Sequence, residues 1–117
     1  MDVVIYGIAN CDSVKKARDW FDVHGVGYSF HDYKKQGVPE VLLRQWVKAR
    51  GWEVVLNRKG TTWRELDAAT KASVVNGETA IAVMQKHVST IKRPVVTRGD
   101  RFVIGVDVAA LALLTAG

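Results

Sequence analysis

The one cysteine in the 117-residue chain, Cys11, is the residue whose type and position could do chemistry. It follows the β-branched run Val3-Val4-Ile5 and a short turn that ends at Asn10, and a helical pattern begins directly after it. The first backbone N–H groups of a helix have no intrahelical partner, and together with the helix dipole they favour negative charge. Because the thiolate is the nucleophilic form of cysteine, this position indicates a reactive thiol rather than a small buried hydrophobe.

A second thiol is missing from the place where a dithiol enzyme would need it. Such an enzyme carries another cysteine three residues after the first, and that cysteine resolves the mixed disulfide. Val14 occupies this position. An external thiol would therefore have to complete any turnover, and glutathione is the obvious cytosolic candidate. The sequence predicts a monothiol mechanism with glutathione as co-substrate.

Two arginines are candidates for holding an anionic substrate or a glutathione carboxylate. Arg58 follows a short apolar run, and Arg93 directly precedes Pro94, which opens a predicted strand. A guanidinium group binds carboxylates and oxyanions through a fixed fork of donors. We expect both side chains to converge on the cleft that holds the cysteine, although each could also be an ordinary solvated arginine.

Three polar residues next to the cysteine complete the predicted site. Asn10 and Ser13 would shape the loop, and their more ordinary role is to cap the first helix. Lys15 would add positive potential near the thiolate, although a solvated helix face explains a lysine there at least as well.

Composition narrows the function further. The formal net charge is +5, but the basic residues are spread along the chain, which favours a small anionic ligand or solubility over a nucleic acid. The three histidines lack the spacing of metal ligands, and a lone cysteine cannot form an internal disulfide. We therefore expect a cytoplasmic protein with no metal, no bound organic cofactor, no nucleic-acid partner and no membrane segment.

Hydrophobic periodicity predicts the order of elements in the first part of the chain. Residues 2–6 fit a buried strand, 13–24 an amphipathic helix that Gly25 ends, and 28–33 a second strand. Pro39 is placed to open a helix that runs to Gly51.

The remainder of the chain predicts a helical block followed by a hairpin. Thr62 and Glu65 have the spacing of a capping box, and a helix is expected over 79–88. Strands 94–97 and 101–104 flank a tight turn, and Asp107 can cap a helix that runs to Leu114. The predicted fold is a single α/β domain over residues 1–117: a thioredoxin-like four-stranded mixed sheet flanked by helices, with a helical insertion between the βαβ unit and the terminal ββα unit.

These motifs together resemble the arsenate reductase (ArsC) family, a group in the thioredoxin-like superfamily, and its YffB branch in particular. The matching segments, in which x marks a position outside the match, are Gly7-Ile8-x-Asn10-Cys11-Asp12-x-Val14-Lys15-Lys16-Ala17, His31-Asp32-Tyr33, Asn57-Arg58-x-Gly60-Thr61-Thr62-Trp63 and Arg93-Pro94-Val95-Val96. The resemblance implies a bacterial oxidoreductase with a nucleophilic cysteine, arginines that bind an oxyanion and the reducing thiol, and a cis bond before Pro94.

The sequence also departs from arsenate reductases proper. Those enzymes carry a histidine in the loop before the cysteine, where this chain has Gly7 or Ile8, and a third arginine near the position of Ile104 and Gly105. We therefore expect a glutathione-dependent thiol or oxyanion reductase with another substrate, and arsenate reduction is the alternative. An alternative of another class is a protein-binding regulator of the Spx type, although Spx itself has a Cys-x-x-Cys switch that Val14 excludes here.

Overall fold

The computed structural model describes residues 2–116. They divide into two compact units. The first comprises the chain up to Gln36 together with the chain from Arg93 onward, and the second comprises Gly37–Lys92. Because one domain can contain two compact units, the single-domain organisation stays a prediction.

The elements follow the predicted order, with more short helices in the middle of the chain. They are β1 (Val3–Gly7), α1 (Asp12–Val23), β2 (Ser29–Asp32), α2 (Tyr33–Gln36), α3 (Glu40–Arg50), α4 (Trp52–Val55), α5 (Thr61–Glu65), α6 (Ala68–Ala72), α7 (Gly77–Lys86), a 3-10 turn (Val88–Thr90), β3 (Val95–Arg98), β4 (Arg101–Ile104) and α8 (Val108–Thr115).

The first unit contains a mixed four-stranded sheet with the strand order β2-β1-β3-β4. β1 is parallel to β2 and antiparallel to β3, and β3 is antiparallel to β4. This arrangement confirms the predicted fold class: a βαβ unit and a ββα unit share one sheet, and the helical segment that separates them in sequence is the second unit.

One face of this sheet carries an apolar core. Val3 and Ile5 of β1 alternate with residues that face the other way, as strand geometry requires. They pack with Phe21 of α1, Val96 of β3 and Leu111 of α8, all buried. Apolar residues of α1 and α8 therefore cover the same face of the sheet.

The ends of α1 agree with the sequence to within one residue. Cys11 is its N-cap, and Gly25 follows its C-terminal end with φ 65°, the left-handed conformation that glycine adopts without cost. Tyr33 differs from the prediction, because the chain leaves the sheet at Asp32 and Tyr33 begins the short helix α2.

The second unit is built from helices and one short β-bridge. α3 contacts both α4 and α7, and its apolar face buries Leu43 and Trp46. Met84 of α7 is fully buried, in agreement with its interpretation as a core residue. Leu56 and Ile91 pair across an isolated antiparallel bridge that joins the segment after α4 to the end of the unit.

The predicted capping box at Thr62 and Glu65 is wrong. The N-cap of α5 is Gly60, two residues before Thr62, and it makes no side-chain cap. The helix begins at Thr61, so Thr62 is already inside it. A capping box is instead present at α7, where Asn76 accepts a hydrogen bond from the Thr79 backbone N–H and the Thr79 hydroxyl accepts one from the Asn76 N–H, both at 3.0 Å.

The other helix caps are simpler. The carboxylate of Asp107 accepts a hydrogen bond from the Ala110 N–H at 3.1 Å, which confirms the predicted cap of α8. Asp67 caps α6 in the same way, through the Thr70 N–H at 2.6 Å. Within residues 2–116, no helix is long and apolar enough to cross a membrane.

The end of β1 and the first turn of α1 come into very close contact. A Cβ atom added to Gly7 would lie 2.5 Å from Cγ2 of Val14, which is closer than real Cβ contacts come. Val14 itself is fully buried. Glycine at position 7 therefore allows α1 to begin directly after the strand and its short loop.

We expect Gly7→Ala to lower the free energy of unfolding by about 1–3 kcal/mol, because the added methyl group overpacks the contact with Val14. Chemical denaturation would measure the change. Gly27→Ala is the matched control, since nothing lies within 4 Å of its added Cβ. In a Val14→Ala background the cost of Gly7→Ala should become smaller, and an unchanged cost in that background would contradict the explanation.

Candidate active site

Cys11 is a free, partly exposed cysteine at the N-cap of α1. Its backbone is extended (φ −103°, ψ 128°), its N–H donates to the Ile8 carbonyl at 3.2 Å, and its carbonyl accepts from the Lys15 N–H at 3.0 Å. The helix therefore begins immediately after the thiol, and the N–H groups of its first turn have no intrahelical acceptor. This is the position that the sequence predicted for Cys11.

The capping role considered for Asn10 and Ser13 is wrong. No side chain caps α1: Cys11 occupies the N-cap, Asn10 precedes it, and Ser13 is the second residue of the helix. Both side chains are exposed, as is that of Lys15. All three residues flank the thiol, Asn10 directly before it and Ser13 and Lys15 in the first turn of α1. Their roles in ligand binding stay predictions.

The strand register shows what else lies at this edge of the sheet. Tyr6 pairs with Val95, so the loop that follows β1 and the residues that precede β3 are at the same edge. The Arg93–Pro94 peptide bond is cis, as the resemblance implied. Pro94 is buried, and its carbonyl accepts a hydrogen bond from the Gly105 N–H at 2.8 Å. The structure therefore brings the cysteine loop and the Arg93–Pro94 pair to one end of the first unit.

Tyr33 belongs to the same edge and is a residue that sequence reasoning did not assign to the site. Gly7 pairs with Asp32 in the parallel register, so Tyr33 follows directly at the end of β2. Its side chain is 1% exposed, and its hydroxyl has no hydrogen-bond partner among residues 2–116. The signal in the sequence was weak, because Tyr33 continues the alternation of a strand and was read as part of it.

Burial is the main cause of the pKa shifts of two tyrosines at this edge of the sheet, Tyr33 and Tyr6. Desolvation raises the pKa of Tyr33 far above its ordinary value, the positive charge of Arg93 opposes this shift, and Tyr6 adds to it. Burial also raises the pKa of Tyr6, against a hydrogen bond with the Thr97 side chain. The ring of Tyr6 lies 4.8 Å from that of His31 on the neighbouring strand. The charge of Arg93 therefore acts on the hydroxyl of Tyr33, which burial keeps neutral at neutral pH.

Two arginines of the hairpin have structural partners. An Nη atom of Arg98 donates to the carbonyls of Leu114 and Ala116, at 3.0 and 3.2 Å. An Nη atom of Arg101 donates to the Leu113 carbonyl at 3.0 Å. Both guanidinium groups bind the C-terminal end of α8, where cations are favourable. These contacts account for their presence without a role in ligand binding.

Arg58 lies in the second unit, just after the Leu56–Ile91 bridge. Its guanidinium carbon is 5.3 Å from the centre of the Trp52 ring. The side chain is exposed and lines a small pocket together with Lys59 and Lys92. The predicted convergence of Arg58 with Arg93 stays a prediction.

The described residues contain no cluster of three or more histidine, cysteine, aspartate or glutamate side chains that could hold a metal ion. At the sheet edge that holds Cys11 the structure places a thiol, the Arg93 guanidinium group and the backbone N–H groups of the first turn of α1.

We expect Tyr33→Phe to weaken the loss of stability at high pH. An unfolded Tyr33 ionises near its ordinary pKa of 10.0 while the folded one stays neutral, so the folded state loses stability as the pH rises above about 10. For one proton that the unfolded chain releases and the folded chain keeps, the free energy of unfolding falls by roughly 1.4 kcal/mol per pH unit. Urea unfolding between about pH 8 and pH 11, on both sides of the ordinary pKa of tyrosine, would measure how the free energy of unfolding depends on pH.

At pH 7 the same substitution should leave the free energy of unfolding unchanged or raise it slightly, because the hydroxyl it removes is buried with no hydrogen-bond partner among residues 2–116. An alkaline slope equal to that of the wild type would show that Tyr33 does ionise in the folded protein.

A family model described as the ArsC family matches residues 6–112. Among proteins of known sequence, an uncharacterized protein of Haemophilus influenzae is 38% identical over 103 residues, which cover 88% of this chain and 90% of that protein. The global transcriptional regulator Spx 2 of Oceanobacillus iheyensis is 27% identical over 109 residues, which cover 90% of this chain and 77% of the regulator.

Solved structures agree with this result. The YFFB protein is 47% identical with a TM-score of 0.91, over 97% of this chain and 99% of its own. An arsenate reductase (ArsC) related protein of Brucella melitensis is 42% identical with a TM-score of 0.74, over 97% and 93% of the two chains. Because the family model and these relatives match nearly the whole chain, the protein belongs to the ArsC family.

Proposed function

We propose that this protein is a glutathione-dependent thiol reductase in which Cys11 is the nucleophile. The observation that carries the proposal is the position of Cys11, partly exposed at the start of α1 and at the sheet edge that also holds the cis Arg93–Pro94 pair. Membership of the ArsC family and the similarity to an arsenate reductase related protein support thiol-based reduction as the class of reaction.

The first step is attack of the Cys11 thiolate on one sulfur of a disulfide substrate. The disulfide bond breaks, its other sulfur leaves as a thiolate that takes a proton from solvent, and a mixed disulfide remains on Cys11. The N–H groups at the start of α1 stabilise the attacking thiolate.

The second step needs a thiol from outside the chain. Val14 occupies the position of a resolving cysteine and is fully buried against Gly7. A glutathione thiolate therefore attacks the mixed disulfide, which releases Cys11 as a thiolate and leaves glutathione joined to the departing group. Arg93 would hold a carboxylate of glutathione or an anionic group of the substrate through its fork of donors.

The structure gives a physical reason to favour a substrate other than arsenate. At the two positions considered for the histidine of arsenate reductases, this chain has Gly7, which has no side chain, and Ile8, which is buried and apolar. At the position of the third arginine it has Ile104 and Gly105, while Arg98 and Arg101 bind the end of α8. Two oxyanion anchors of that activity are therefore absent.

A second candidate is a protein-binding role that does not use Cys11, and the sequence identity with Spx 2 favours it. The two candidates differ in what they require of the thiol. A reductase needs a fast-reacting Cys11, whereas a binding module would keep its partner affinity in a Cys11→Ser variant.

We expect incubation with oxidised glutathione to add one glutathionyl group to Cys11 and added reduced glutathione to remove it. Intact-protein mass spectrometry would follow both steps. Cys11→Ser should show no adduct and keep the wild-type circular dichroism spectrum and melting temperature. Arsenate offered as the oxidant in place of the disulfide would test the alternative substrate.

A wild-type protein that forms no adduct, or forms one no faster than a simple exposed thiol such as free cysteine, would overturn the proposal. That result would leave the binding role as the remaining candidate.

We expect Arg93→Ala to lower kcat/KM for glutathione by about 10- to 100-fold, the loss of a charged hydrogen-bonded contact. Arg93→Lys should be impaired almost as much, because lysine keeps the charge but loses the bidentate fork. Arg58→Ala tests the other predicted arginine in the same assay. Arg64→Ala makes the same charge change on an exposed helix and is the control.

Steady-state kinetics with glutathione as the varied substrate would separate these variants. An unchanged kcat/KM in Arg93→Ala would exclude Arg93 from the site, and full activity in Arg93→Lys would reduce its role to charge alone.

A further inference from the structure

Four exposed lysines lie at the end of the first unit that holds Cys11, and together they form what we call the lysine patch. Lys15 and Lys16 are near the start of α1, and Lys34 and Lys35 are in the short helix α2. Only Lys15 was assigned to the site from the sequence, as a source of positive potential near the thiolate. The other three lysines have no assigned role.

Strand pairing brings the two halves of the lysine patch to the same end of the sheet. The parallel register pairs Gly7 of β1 with Asp32 of β2, so the loop that leads to Cys11 and the segment that leads into α2 leave the sheet at neighbouring points. The Cys11 N–H donates to the Ile8 carbonyl at 3.2 Å, which makes that loop a tight turn and keeps the thiol near the end of β1. The lysines of α2 therefore lie at the same end of the unit as the thiol, although they are distant from it in sequence.

The contacts of Arg18 show which side of α1 faces β2. Its Nε donates to the hydroxyl of Tyr28 at 3.1 Å, and its guanidinium carbon lies 4.7 Å from the centre of the Phe30 ring. Residues three positions apart are neighbours on a helix surface, and Lys15 lies three positions before Arg18. Lys15 is therefore on the side of α1 nearest to the strand that leads into α2.

The positive charge of the lysine patch is not neutralised by ion pairs. Within residues 2–116 its four lysines form none, in contrast to Arg44 of the second unit, which pairs with two carboxylates. The carboxylates nearest to the patch in sequence are those of Asp12 and Asp19 on α1 and Asp32 at the end of β2, and the last of these accepts a backbone N–H of α2. With Arg93 at the same edge, the positive groups outnumber these carboxylates, so this end of the unit attracts anions.

The exposure of the lysine patch indicates the kind of partner that it fits. A small ligand is usually held in a concave pocket by a few convergent polar groups. The patch is instead spread over two elements on open surface, and each lysine carries a flexible, strongly hydrated point charge. Such charges act mainly by long-range attraction, which raises the rate of encounter with an oppositely charged surface. We propose that Cys11 acts on disulfides carried by acidic polypeptide segments, which the lysine patch attracts.

This inference rests on the reductase function proposed above and names the class of its substrate. The Cys11 thiolate attacks the sulfur of the smaller group that is joined to the segment's cysteine. The disulfide bond breaks, and the segment's sulfur leaves as a thiolate that takes a proton from solvent. The smaller group, now in a mixed disulfide with Cys11, passes to glutathione in the second step.

Two synthetic peptides would test the inference with the full chain. Each carries one cysteine capped as a disulfide with mercaptoethanol, flanked by aspartate and glutamate in one peptide and by asparagine and glutamine in the other. We expect the second-order rate constant for loss of the capped peptide to be about tenfold higher for the acidic peptide at low ionic strength. The ratio of the two rate constants should fall as sodium chloride is added, because exposed charges are screened.

Variants that remove charge locate this attraction. The double variant Lys34→Gln, Lys35→Gln should lower the ratio of rate constants from about tenfold to roughly threefold, since it removes half of the lysine patch. The double variant Lys48→Gln, Lys86→Gln makes the same change of net charge at exposed positions of α3 and α7, and it should leave the ratio unchanged.

Equal rate constants for the two peptides would overturn the inference. An equal fall of the ratio in both double variants would also overturn it, because the preference would then reflect net charge alone. A duplex oligonucleotide tests the other class of acidic macromolecule: if it slows the acidic peptide at a lower concentration than an acidic peptide without cysteine does, the patch serves a nucleic acid and the inference is wrong.

The uncharged bis(hydroxyethyl) disulfide separates this inference from the reductase proposal. If Cys11 reacts with it and does not distinguish the two peptides, only the inference fails. A Cys11 that reacts with no disulfide removes both.

Discussion

The close contact between Gly7 and Val14 is the constraint on which the position of Cys11 at the start of α1 depends. A strand that must feed directly into a helix needs a short loop, and the helix can start there only if the last residue of the strand leaves room for it. Because Gly7 has no side chain, Val14 fills that room and α1 begins at once. Cys11 then becomes the N-cap, next to backbone N–H groups that have no intrahelical acceptor.

The same contact involves the position at which a dithiol enzyme carries its second thiol. In a dithiol enzyme the residue three positions after the nucleophile is a reactive cysteine, whereas Val14 is here a fully buried packing residue. The side chain that anchors the helix cannot also resolve a mixed disulfide. The packing of α1 therefore agrees with the proposed monothiol scheme, in which the second thiol comes from outside the chain.

The basic side chains of this protein differ in whether they have a structural partner. Arg98 and Arg101 bind the carbonyls at the end of α8, and Arg44 pairs with two carboxylates. Arg58, with Lys59 and Lys92, has no such carboxylate partner in the part of the chain that the structure describes. The overall charge of +5 in the sequence could not separate these groups, because it counts structural and unpaired cations alike.

Local patterns in the sequence determined the order of the main elements, the position of Cys11 before α1, the hairpin and the Asp107 cap, since each depends on residues within one or two turns. Patterns that fit more than one start of a helix were less reliable. The capping box predicted at Thr62 is absent because α5 already begins at Thr61. Only the tertiary structure decided that the Tyr33 hydroxyl is buried with no hydrogen-bond partner in the described part of the chain, and that Lys92 lies beside Arg58. Burial and strand pairing bring together residues far apart in sequence, and no local spacing encodes which of them will meet.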